Sequence, residues 1–206
     1  MAEKIILKAE RYKNYNMDEL TSKLSETSSK AEAGTVAAAS AALACALALK
    51  AANALQASEP ENERLIYIVR NTDKLRTYMS ALMDQDIRCR APMNKAIKEN
   101  RPQEELDACL HPASEITEEI IGMMVVLMDF LKEMSEKVSS SVAVALKASA
   151  EAAMSAARIC GVWFDYLAGL STDETFSFVI RREYELTYKQ LEEKYDAVLE
   201  KVKNNG

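Results

Sequence analysis

Asp86 is a carboxylate in unusual company. It lies on a line of apolar positions spaced three and four apart, with Leu75, Met79 and Leu82 before it and Cys89, Met93 and Ile97 after it, which predicts a long helix with Asp86 on its core side. A carboxylate among such neighbours must be paired, hydrogen-bonded or kept neutral, and the last state makes a usable general acid or base. Arg90, one turn on, offers the other outcome, a buried ion pair with a structural purpose. Asp84 points well away from the line, so its replacement is expected to matter much less.

A second candidate is the pair Gly34-Thr35, which opens a run of small residues. Backbone N–H groups at a helix start have no intrahelical partner and can hold an anion, although the same residues are also an ordinary way to begin a helix. Other chemistries find little support. His111 is the only histidine, which leaves zinc sites and Ser-His or Cys-His nucleophile systems without partners. Cys45, Cys89, Cys109 and Cys160 stand far apart with no CxxC pair, as expected of small buried thiols in a reducing compartment.

The elements that must position these groups are helical. The chain of 206 residues has only five glycines and four prolines, and Ala, Leu, Glu and Lys dominate. That composition predicts one all-α domain over 1–206, an up-and-down bundle of five or six helices. Its hub is 34–57, GTVAAASAALACALALKAANALQA, where alanine lets neighbouring backbones approach closely. The hub is apolar nearly all round and is therefore expected to be mostly buried. A membrane span needs about 20 apolar residues, but Lys50 and Asn53 fall inside this run and no basic flank orients it.

Before the hub, 16–30 reads as a short lead-in helix capped by Asn16. After it come long helical patterns from Glu61 to about Asn100, interrupted by Pro92, and from Arg101 onward, with a kink at Pro112. The triplet Ser139, Ser140 and Ser141 breaks the chain before a small-residue helix to Leu167, and 173–203 forms a charged last helix. The net charge of −6 is spread, which argues against nucleic acid or an anionic membrane as partner. MAEKIILKAERYK has no signal-peptide core, so a cytoplasmic location is expected.

Taken in order, these segments resemble the cyclodeaminase/cyclohydrolase family. MDELTSKLSE followed by AEAGTVAAASAALACALALKAAN resembles the family's leader helix, Gly-rich turn and alanine-rich helix ending in Asn. LRTYMSALMDQDIRCRAPMNKA resembles its Leu-x-Asp-x-Asp segment, which puts Asp84 and Asp86 on the family's acidic pair. LHPASEI and SSSVAVALKASAEAAMSAARICGVWFDYL resemble the later helices. The departures fall where ligand contacts are expected. The Gly-Gly-Gly-Ser turn is Glu32-Ala33-Gly34-Thr35, the Asp of a Ser-Asp run is Ser141, and paired asparagines are Cys160 and Phe164.

The resemblance implies chemistry on a one-carbon group of tetrahydrofolate, with no metal or redox cofactor: hydrolysis of the methenyl form, or ring closure of the formimino form with loss of ammonia. It also implies a homodimer. Asp86 is then the expected acid or base, with Gly34, Thr35, Asp84, Arg90, Glu115 and Ser141 as candidate substrate contacts. A different reading is a non-catalytic helical module, a scaffold or regulator that kept the fold and lost the site. A third is a related enzyme whose pocket Trp163, Phe164 and Tyr166 reshape for another substrate.

Overall fold

The computed structural model describes residues 11–136 and 140–205, without the side chains at 140, 141, 204 and 205. A single 3-10 turn, Tyr12–Asn14, leads into six helices: α1 (Met17–Ser25), α2 (Ala33–Ser58), α3 (Glu63–Lys98), α4 (Gln103–Met134), α5 (Ser140–Leu170) and α6 (Glu174–Asn205). No strand occurs among the described residues. The fold is an all-α helical bundle.

Local chemistry sets the helix ends. Asn16 accepts from the backbone N–H of Glu19 at 2.9 Å while Glu19 Oε2 accepts from the Asn16 N–H at 2.9 Å, a reciprocal capping box. α1 stops at Ser25, five residues short of the expected 30. Thr27, Ser28 and Ser29 are poor helix formers, and the chain turns through Glu26 instead. Asn62 caps α3 by accepting from the N–H groups of Arg64 and Leu65. α3 ends with Asn100 at φ 48°, a left-handed residue that lets the Arg101 N–H reach back to the Ala96 carbonyl at 2.9 Å. Pro92 and Pro112 both sit inside continuous helices.

α2 is the hub. It packs against α3, α4 and α5, and Ala37, Ala38, Ala41, Ala44 and Ala48 are wholly buried. Backbones come close enough there for Ser149 Oγ of α5 to donate to the Ala44 carbonyl at 2.7 Å. The expectation of a mostly buried hub is corrected on one side. Leu43 is 52% exposed, and Ala46, Lys50, Asn53 and Ala54 are open with it. The reason is geometric: three neighbours cover only part of a helix circumference. By length and composition α2 could cross a membrane, yet half of its most apolar stretch is buried inside this bundle.

Candidate functional site

The N-terminus of α2 meets the middle of α3 at a buried charge cluster. Asp86 and Arg90, four residues apart on α3, face inward together, and neither side chain is exposed at all. Arg90 Nε donates to Asp86 Oδ1 at 3.0 Å and Nη2 to Oδ2 at 2.8 Å, a two-pronged pair. Thr35 Oγ1, also buried, donates to Asp86 Oδ2 at 2.8 Å. Gly34 explains how α2 comes so near: a Cβ at that position would stand 2.6 Å from Asp86 Cγ, so any side chain there forces the carboxylate away. The anion at the positive end of α2 is thus the protein's own Asp86.

Arg90 is held on its remaining edges. Nη2 also donates to the Lys30 carbonyl at 2.9 Å, and Nη1 donates to Glu32 Oε2 at 2.6 Å. The guanidinium carbon lies 5.2 Å from the ring centroid of Trp163, whose indole N–H donates to the Ala113 carbonyl at 3.0 Å. On α5, Cys160 is buried close enough to Asp86 to feel its charge. Burial pushes the Cys160 thiol up, and the nearby charge of Asp86 adds to it.

Asp84 departs from the expected picture. It lies on the opposite side of α3 from Asp86, yet it is only 6% exposed. The line of apolar residues predicted one covered face, whereas from Met79 to Arg90 only Arg88 is exposed, and the 3-10 turn also packs on α3. Among the described residues neither Asp84 Oδ1 nor Thr72 Oγ1, both buried, has a hydrogen-bond partner. A buried carboxylate oxygen left in this state is uncommon and marks a group with an accepting lone pair to spare.

Glu115 is not brought into the cluster. Its side chain is 56% exposed and stands 3.8 Å from His111 Nδ1 on the surface of α4. It acts on the interior only at a distance: burial raises the half-buried Cys89 thiol, with Glu115 and then Asp86 adding to the shift. Ser141 falls near the start of α5, and its side chain lies outside the described residues. Sequence reasoning missed two of the cluster's contacts, the Lys30 carbonyl and the face of Trp163. A backbone acceptor leaves no trace in the sequence. Trp163 did carry a signal, as the only tryptophan.

The formiminotransferase-cyclodeaminase family model matches residues 16–185, a span that runs from the α1 cap through the whole cluster into α6. The chain belongs to this family. Among solved structures it is similar to formiminotetrahydrofolate cyclodeaminase from Thermotoga maritima, with a TM-score of 0.84 at 22% identity, over 93% of this chain and 97% of that one. At that identity the likeness establishes the shared fold. No curated protein matches the chain. Within the family frame the cluster of Glu32, Gly34, Thr35, Asp86 and Arg90 joins the turn before α2 to the acidic segment of α3.

Proposed function

We propose that this chain is a tetrahydrofolate one-carbon enzyme, of the methenyltetrahydrofolate cyclohydrolase or formimidoyltetrahydrofolate cyclodeaminase type. The observation that carries it is the pair of buried carboxylates, Asp84 and Asp86, on the acidic segment of a chain whose family membership spans both. Either reaction needs a base for the attacking group and an acid for the departing nitrogen, work that a desolvated carboxylate can do. Asp86 entered as the expected proton carrier. Its oxygens already accept three hydrogen bonds, so the role proposed for it is to anchor Arg90 and the start of α2. Asp84, with an oxygen that no described residue pairs, is the better proton carrier. The test is purified protein with methenyltetrahydrofolate, followed by loss of its absorbance against a no-protein control, and with formimidoyltetrahydrofolate, followed by ammonia release.

One observation favours the second reading, a non-catalytic module. Thr35, Asp86 and Arg90 are wholly buried, and Cys160 of α5 is buried close to Asp86. A protein that neither turns over nor binds either folate would fit that reading and remove the enzymatic one.

A further inference from the structure

Arg90 serves two anions of very different standing. Asp86 is fully buried, takes two of the guanidinium nitrogens and cannot leave without stranding a cation in the core. Glu32 takes the third nitrogen, Nη1, through a single oxygen at 2.6 Å, from a side chain that is 44% exposed. Among the described residues it is the only partner of Nη1. It is also the one side chain of the cluster open to solvent.

Glu32 does no local work for the helix it precedes. It is the N-cap of α2 but makes no side-chain capping bond, and Glu is not a residue that favours this position. The carboxylate is therefore explained by Arg90 alone. A half-exposed partner is rehydrated at small cost when released, and a second carboxylate arriving at Nη1 restores the same charge-assisted bond.

We propose that Glu32 is a built-in competitor for a carboxylate-bearing ligand: the ligand's carboxylate displaces Glu32 from Arg90 Nη1, and residue 32 sets how tightly such a ligand is held. The proposal rests on the folate reading only for the choice of ligand, since tetrahydrofolates end in a glutamate. The exchange itself needs nothing but Arg90 and a carboxylate.

Trp163 provides the readout, because it is the only tryptophan and its ring lies 5.2 Å from the Arg90 guanidinium carbon. Wild type, Glu32→Gln and Glu32→Ala are titrated with glutarate at constant ionic strength, with circular dichroism to establish that both variants stay helical. The expected result is a saturable change in Trp163 fluorescence whose midpoint falls about tenfold or more in both variants, the scale of one charge-assisted contact. Equal midpoints in all three proteins, or a signal that sodium chloride reproduces, overturns the proposal. A parallel measurement of the KM for methenyltetrahydrofolate separates the two readings. Tighter glutarate binding without folate turnover upholds the competitor and defeats the folate enzyme. Turnover with unchanged KM and unchanged glutarate midpoints does the reverse.

Discussion

Asp84 and Asp86, two residues apart on one helix, show how far environment divides identical side chains. Asp86 is tied by Thr35 and by two nitrogens of Arg90, so Asp86→Asn leaves Arg90 buried with a weakened partner. Breaking one half of a buried pair costs about 3–5 kcal/mol, a large share of a typical domain's stability. Asp86→Asn is therefore expected to lower the urea midpoint sharply. Asp84→Asn removes no hydrogen bond from Oδ1 and should stay folded. If Asp84 carries the proton, folate turnover falls by roughly 10² to 10⁴ in Asp84→Asn, the usual worth of general acid-base catalysis. Full turnover in Asp84→Asn would return the chemistry to Asp86 or elsewhere.

At the scale of elements, periodicity was a good guide to where helices lie and a poor one to how many of their faces are covered. The hub, expected at 34–57, spans Ala33–Ser58, and the long helix expected from Glu61 to about Asn100 spans Glu63–Lys98. The inward placing of Asp86 was also legible, because a line at helical spacing identifies the most buried side. It could not reveal that α3 is covered nearly all round from Met79 to Arg90, since the elements packed on it, the 3-10 turn among them, come from distant parts of the chain. Nor could it tell which side of an alanine-rich helix lacks a neighbour. The structure separates those sides, and substitution reads them out. Ala48 is wholly buried, so Ala48→Leu forces extra methylenes between packed helices and should cost about 1–3 kcal/mol. Ala46, on the hub expected to be mostly buried, is open, and Ala46→Leu should leave the stability of the single chain nearly unchanged in urea unfolding.

The whole molecule keeps several ionisable groups neutral inside its bundle, and this sets its response to alkali. Burial pushes the Cys45 thiol up to about 12 from an ordinary value of 9.0, only partly offset by Arg76. Burial, then Tyr188 and Cys160, raises Tyr184 to about 12. Each folded-state value lies above the unfolded one, so the stability these groups contribute is complete below the unfolded value and is lost as pH rises through the folded one. Unfolding midpoints should thus decline as pH rises from about 9 towards 12, less steeply in Cys45→Ala. The same molecule carries an apolar strip of α2, with Val36, Ala39, Leu43 and Ala46 in steps of three and four, that the other described residues do not fully cover. Small residues permit close approach, and the proposed occupant is the same strip of a second copy, related by a two-fold axis that sets Leu43 near its counterpart. Light scattering at micromolar concentration should give twice the mass of the chain. Leu43→Lys, which places like charges together at the centre of that contact without disturbing the core of either copy, should give the single-chain mass with the helical content intact. A wild-type protein that is monomeric at that concentration would leave the strip for another partner, and one whose dimer survives Leu43→Lys would place the interface on a different face.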